Sequence, residues 1–119
     1  MSDADRPQIV CLCGSSRFFK TFERVNMEET LAGRIVLSIG TTRRSDRELL
    51  EAGDLTVEQK AALDRLHLAK VELSDEVCVL NVGGYVGEST AREIAYARTL
   101  GKPIRWLEPQ ERGVTHERC

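Results

Sequence analysis

Asp75-Glu-Val-Cys-Val-Leu-Asn-Val-Gly-Gly-Tyr-Val-Gly-Glu-Ser-Thr-Ala-Arg-Glu-Ile-Ala-Tyr-Ala-Arg-Thr-Leu-Gly-Lys-Pro103 is the stretch whose reading decides the fold. Val77 to Leu80 is a short apolar run without a helical stripe, as in a buried strand. Asn81 to Gly87 holds three glycines in seven residues, so the chain turns sharply there. Ser89 and Thr90 are N-cap residue types, and a helix carrying Glu93, Ile94, Ala95, Ala97 and Arg98 follows them. Gly101, with Pro103 two places on, ends that helix. A strand, a glycine loop and a helix start aim free backbone N–H groups and a positive dipole end at one spot. Such a spot favours an anion. Glu93 falls in the first or second turn, close to the loop mouth.

Outward from this unit, the same alternation recurs. Ile9 to Cys13 is an apolar run and reads as the first strand, with Gly14-Ser-Ser-Arg17 directly behind it. Phe18, Phe22, Val25 and Glu29 are spaced three or four apart, an amphipathic helix stopped at Gly33. Ile35 to Ile39 is a second strand. Gly40 to Asp54 is polar and carries Arg43, Arg44 and Arg47; its length marks it as a functional or mobile loop. Thr56 with Gln59 forms a capping box at the start of another helix. Its apolar stripe is Ala62, Leu63, Leu66, Ala69, Lys70 and Leu73. Pro103 to Leu107 is a fourth strand. Residues 1–7 and 108–119 read as tails, which leaves one domain over 8–107.

Strands alternating with helices imply a parallel sheet with right-handed crossovers and helices on both faces. The expected class is therefore α/β: a three-layer Rossmann-like or flavodoxin-like fold with a small parallel sheet of four or five strands. Ligands of such sheets bind outside the carboxyl ends of the strands. Those ends are Gly14–Arg17, Gly40–Arg47 and Asn81–Glu93, and all lie on one rim.

The bulk properties narrow the function classes. The chain has 119 residues and a net charge of −2 with both signs interspersed. That argues against a nucleic-acid or membrane surface. No apolar run approaches the ~20 residues needed to span a bilayer. The polar, acidic N-terminus is unlike a signal peptide, and a cytoplasmic location is expected. Of the four cysteines, Cys11 and Cys13 share one side of a strand, Cys78 lies in another strand and Cys119 is the last residue. Their spacing is not C-x-x-C, and only His67 and His116 are available to complete a zinc set. They are read as small buried hydrophobes with reduced thiols, and no metal is expected.

Several residues on the rim have chemistry to offer. Gly14, Ser15, Ser16 and Arg17 supply a turn, hydroxyls, backbone donors and a guanidinium, which suit a phosphate or carboxylate. The plain alternative is a helix cap with a solvated arginine. The loop lacks G-x-G-x-x-G and the Walker lysine, so no dinucleotide or other cofactor is expected. Glu93 is either a surface glutamate or a rim carboxylate able to act as nucleophile or general base. Asp64 and His67, one turn apart, are either an acid–base pair or part of an exposed polar face. Arg43, Arg44 and Arg47 form either a lid over an anion or a solvated loop. Tyr85 is placed to stack on a base or sugar, whereas Trp106 and Tyr96 suit a core or an interface.

Cys13-Gly-Ser-Ser-Arg17, Asp75-Glu-Val77 and Glu88-Ser-Thr-Ala-Arg-Glu-Ile-Ala-Tyr-Ala97 with Gly101-Lys-Pro103 resemble the nucleoside 2-deoxyribosyltransferase superfamily, which includes 2′-deoxynucleoside 5′-phosphate N-hydrolases. The resemblance covers about residues 8 to 107, and Glu93-x-x-x-Ala97 followed by Gly-Lys-Pro is its most specific part. It implies that Glu93 attacks the anomeric carbon of the substrate to form a covalent glycosyl-enzyme. It also implies that Ser15, Ser16, Arg17 and Ser89 hold the sugar or 5′-phosphate. Two positions depart from the family pattern. His67 stands where an aspartate is usual, with Asp64 one turn earlier, and Gly87 stands where the transferases carry a base-contacting aspartate, with Glu88 beside it.

The expected function is thus cleavage or exchange of an N-glycosidic bond on a nucleoside or its 5′-monophosphate. Catalysis would fall to Glu93, Asp64 and His67. Binding would fall to Gly14, Ser15, Ser16, Arg17 and Arg43 with Gly84, Tyr85, Gly87, Glu88 and Ser89. The other reading is a nucleotide-binding or sensing module of the same fold without catalysis. A homodimer or larger homo-oligomer is implied by the family and by the exposed edges of so small a sheet.

Overall fold

Val10, Cys11, Leu12 and Cys13 are all fully buried. A strand with no solvent-facing side belongs in the middle of a sheet covered on both faces. That is the place of strand β1 (Ile9–Cys13) in the computed structural model, which describes residues 5–110. The remaining strands are β2 (Ile35–Leu37), β3 (Glu76–Val79) and β4 (Ile104–Trp106), in the order β2-β1-β3-β4. Every pairing is parallel; Val10 faces Val36 on one side and Glu76 on the other, and Val79 faces Trp106. Four strands form this sheet among the described residues.

Helices α1 (Phe19–Leu31), α2 (Asp46–Ala52), α3 (Val57–Leu73) and α4 (Glu88–Thr99) complete the fold. Alternation along the strands builds two cores. Val10, Leu12, Cys78 and Leu80 pack against Phe22 and Val25 of α1. Cys11, Cys13, Val77, Val79 and Trp106 pack against Val71 of α3 and Ile94 and Ala97 of α4. The result is a three-layer α/β fold with α1 on one face and α3 with α4 on the other. The strand order reverses between β1 and β3, so the crevice at their carboxyl ends is the topological switch point.

Local signals explain most element ends. Thr56 and Gln59 form the reciprocal capping box read from the sequence. Gly101 follows α4 at φ +68°, a left-handed conformation that glycine takes without strain. Gly14 is needed for a different reason. A Cβ there would sit 3.1 Å from Leu80 Cβ and 3.2 Å from the Leu80 carbonyl oxygen. Gly14→Ala should therefore push β1 and β3 apart at the crevice and cost about 1–3 kcal/mol, read as a lower denaturant midpoint.

Several sequence expectations are corrected here. The polar segment 40–54 is not all loop, because Ser45 and Glu48 form a second capping box that starts α2. Most of the stripe assigned to the helix after Thr56 is not packed against the sheet, and Leu63 and Leu66 border the cleft instead. Leu63, Leu66 and Leu73 are 44%, 53% and 68% exposed, while His67 and Val71 face the sheet. The helix carries apolar residues on more than one side, so periodicity alone did not pick out the residues that pack. Helix α4 begins one residue before Ser89, with Gly87 at its N-cap and no side-chain cap.

Single residues at the inner ends of both expected tails contact the folded body. Arg6 makes a two-pronged ion pair with Asp75 at 2.8 and 3.0 Å. Asp75 also accepts the Ile9 backbone N–H at 2.8 Å. At the other end, the Glu108 backbone N–H donates to Asn81 at 2.9 Å and its carbonyl accepts from Asn81 at 3.0 Å. His116 and Cys119 lie outside the described residues.

Hydrogen bonds from Arg6 and the Ile9 N–H hold the Asp75 carboxyl at about 2, well below the usual carboxylate range. A carboxyl held low stabilises the fold fully above its unfolded value, and that contribution fades as pH falls toward 2. The pair is about a third exposed, so solvent screening limits it to about 1 kcal/mol. Asp75→Asn should lose about that much at pH 7 and match the wild type near pH 2, as measured by urea denaturation at each pH.

Candidate active site

Three segments meet at the switch-point crevice: the turn after β1, the start of α2 with the facing side of α3, and the glycine loop leading into α4. They enclose a cleft of about 420 Å³. That volume suits a small metabolite. Gly14, Ser15, Ser16 and Arg17 form one wall. Tyr85, Gly87, Glu88, Ser89 and Glu93 line the cleft from the glycine loop and α4, with Tyr85 against Arg17, and Asp64 and His67 line the side given by α3. Two expected residues stand elsewhere. Arg43 does not line the cleft; it is 3.7 Å from Glu23 on the exposed surface, in a left-handed conformation. Gly84 lines a separate shallow depression with Trp106 and Pro109. Of the three loop arginines only Arg47 borders the cleft, and it pairs with Glu51 at 3.1 Å; Arg44 pairs with Asp54 at 2.9 Å.

The first wall is preorganised. Ser15 caps the short 3-10 turn Ser16–Phe18 by accepting the Arg17 N–H at 3.3 Å. Ser16 Oγ accepts the Asp46 N–H at 2.7 Å, which ties the start of α2 to the turn. The Arg17 guanidinium lies over the Tyr85 ring, 4.3 Å from its centroid, and donates to the Tyr85 hydroxyl at 3.1 Å. A stacked guanidinium keeps its charge and several donors for an anion. The cap reading and the ligand reading of this turn are therefore compatible.

Glu93 is the distinctive group. It projects from α4 toward α3 and is 8% exposed. Its Oε1 is buried and makes no hydrogen bond, and it lies 3.8 Å from His67 Nε2. Burial raises the Glu93 carboxyl above the usual range, against the opposing pull of His67. For His67, burial disfavours the charged ring, but Cys11 and Glu93 outweigh it and its pKa is raised. An unsatisfied buried carboxylate oxygen is costly, and such groups are concentrated at functional sites.

Asp64 and His67 share the cleft side of α3 but do not pair. Asp64 binds Lys60 at 2.6 Å and approaches Arg92 at 4.0 Å. His67 instead reaches behind Glu93, where Nε2 lies 3.5 Å from Cys11 Sγ and 3.4 Å from Cys13 Sγ. The sequence named these residues among the only candidates for a zinc set, but their spacing argued against one, and nothing in it places His67 beside Cys13, 54 residues earlier. Further cleft residues went unread, among them Ser45, Asp46, Lys60 and the buried Thr90. The Ser45-x-x-Glu48 pattern was the signal that could have found the first two.

No protein-family model matches the chain, and no curated protein sequence matches it. Among solved structures, the chain is similar to a 2-deoxyribosyltransferase from the psychrotolerant bacterium Bacillus psychrosaccharolyticus, described as a biocatalyst for nucleoside synthesis. The match has a TM-score of 0.58 at 19% identity and covers 90% of this chain and 77% of that one. The two share a fold, the one that the motif resemblance implied. No helix among the described residues is long and apolar enough to cross a membrane.

Proposed function

We propose that this protein belongs to the nucleoside 2-deoxyribosyltransferase superfamily and cleaves or exchanges the N-glycosidic bond of a nucleoside or its 5′-monophosphate, with Glu93 as nucleophile. The observation that carries the reading is the Glu93 carboxylate: buried, with one oxygen unsatisfied, at the wall of a cleft sized for a nucleoside. The shared fold with a 2-deoxyribosyltransferase supports it.

In this mechanism the ribosyl C1′ sits against Glu93 and the 5′ end lies toward Gly14–Arg17. A Glu93 oxygen attacks C1′ through an oxocarbenium-like state, the C1′–N bond breaks and the base leaves protonated. Water, or a second base, then displaces the carboxylate. The departing base takes its proton from water in the cleft, and Asp64, held by Lys60 at 2.6 Å on the cleft wall, is the candidate group to orient that water. His67 is a positioning residue that steadies Glu93 from behind. Arg17 and the Gly14–Ser16 turn suit a 5′-phosphate, which favours a monophosphate and hydrolysis over transfer. Tyr85 holds the arginine in place. Membership also carries the expectation of a homo-oligomer.

The test is incubation with a panel of nucleosides and 5′-monophosphates, with free base followed by chromatography. Release of base from one sugar class is expected, together with a glycosyl adduct on the peptide containing Glu93 after quenching. If no member of the panel loses its base, while one of them raises the melting temperature, the binding-module reading replaces this one.

A further inference from the structure

Cys11 and Cys13 point to the same side of β1, and α3 brings His67 Nε2 to 3.5 and 3.4 Å from their sulfurs. The three candidate donor atoms lie within 4.8 Å of one another, and all three residues are buried. The thiols are free. A tetrahedral ion with Zn–S of ~2.3 Å and Zn–N of ~2.0–2.1 Å would hold sulfur and nitrogen about 3.6 Å apart. The observed separations differ from this by only about 0.1–0.2 Å. A second, independent observation points the same way. The Glu93 Oε1, buried and without a hydrogen-bond partner, faces this group from α4 at 3.8 Å from His67 Nε2. A carboxylate oxygen in the fourth position would sit about 3.3 Å from that nitrogen, so a small side-chain adjustment brings it in.

We propose that Cys11, Cys13 and His67, with Glu93 in the fourth position, form a binding site for one thiophilic divalent cation of the zinc class. Two sulfurs, an imidazole and a carboxylate select a soft or borderline ion over magnesium or calcium. On binding, each thiol gives up its proton to solvent and two S–metal bonds form. The ion then balances two of the three negative ligand charges, and Lys70, near enough to act on Cys11, offsets the remaining one. His67 and Glu93 also line the cleft, which gives the ion a way in. The binding site stands without the glycosidic reading. Its consequence rests on that reading: a Glu93 oxygen engaged by the ion cannot attack C1′, so metal occupancy and glycosyl transfer exclude each other.

The test reads binding rather than turnover. The reduced, full-length protein is titrated with Zn²⁺ against a chromophoric chelator and, separately, with Co²⁺ under visible and near-ultraviolet absorption. One equivalent should bind, and Co²⁺ should give the intense d–d bands of a tetrahedral site with thiolate charge-transfer bands. Cys11→Ser and Cys13→Ser, the nearest replacements in shape, should each weaken binding by about 100-fold or more, at least as much as losing an outer-shell partner, with unchanged circular dichroism. Glu93→Gln should weaken it less and keep the thiolate bands. The proposal is overturned if the wild type binds no stoichiometric Zn²⁺. It is equally overturned if the cobalt bands persist in the Cys11→Ser/Cys13→Ser double variant, because the ion would then sit on other cysteines. Because the wild-type cobalt spectrum needs no substitution, misfolding of a variant cannot rescue or hide the result. A wild type that binds zinc tightly yet releases no base when stripped of metal would retain this site and refute the glycosidic one.

Discussion

Glu93→Gln should lower base release from the productive substrate by about 10³-fold or more while leaving substrate binding close to wild type. The amide keeps the shape and the position on α4 but has no charge with which to form the glycosyl-enzyme. Stability should hold or rise. Burial raises the Glu93 carboxyl above its usual range, so the fold disfavours the ionised form at neutral pH. A neutral isostere removes that penalty, the common trade between a strained functional group and a stable fold. The melting temperature should therefore equal or exceed that of the wild type, and a thermal shift with the substrate should survive. Activity within tenfold of wild type would end the case for Glu93 as nucleophile, and the adduct analysis would then have to find another residue.

The second large effect lies at the opposite end of the sheet. Arg105 is 6% exposed on β4 and Glu29 is 4% exposed on α1. The Arg105 guanidinium contacts both Glu29 oxygens and donates to Glu76 at 2.8 Å. Removing one member of a buried pair leaves the other desolvated and under-compensated, which typically costs 3–5 kcal/mol. Arg105→Ala should fall at the low end, about 3 kcal/mol, because Arg34 lies 3.5 Å from both Glu29 and Glu76 and can take over in part. Urea denaturation would measure it. The double replacement Glu29→Met/Arg105→Met, which removes both charges, should recover most of the loss. A double variant no more stable than Arg105→Ala would mean that packing, rather than charge, holds this corner.

Neither of these residues was equally visible in the sequence. Glu93 was marked by its neighbourhood, since a strand, a glycine loop and a helix start leave few places for the residue six positions beyond Gly87. Glu29 was correctly placed on the buried stripe of its helix, but nothing in its surroundings named Arg105, 76 residues away, as its partner. The same difference separates Ser15 from His67. Ser15 acts on the backbone two residues on, which a local pattern can anticipate. His67 acts on two sulfurs of a different element, and its helix carries apolar residues on both sides. Periodicity then could not say which side packs, and it chose Leu63 and Leu66, which border the cleft half exposed and do not pack in the core. The arginine-rich loop stayed open between a lid and a solvated loop for a related reason. Arg43 and Arg44 found acidic partners close by, and charge alone does not tell a paired arginine from a ligand-binding one.

By itself the sequence determined what short-range rules govern: the alternation of strands and helices, the parallel sheet this implies, the capping box at Thr56, the stop at Gly101 and the rim on which Glu93 lies. Each depends on hydrogen bonds or side-chain spacing within a few residues, so each leaves a local trace. Only the tertiary structure decided which face of α3 turns inward, that Arg43 stands off the cleft, and that Cys11, Cys13 and His67 converge behind Glu93. Those outcomes depend on how helices lie against a twisted sheet, and packing brings together groups whose distance along the chain carries no signal.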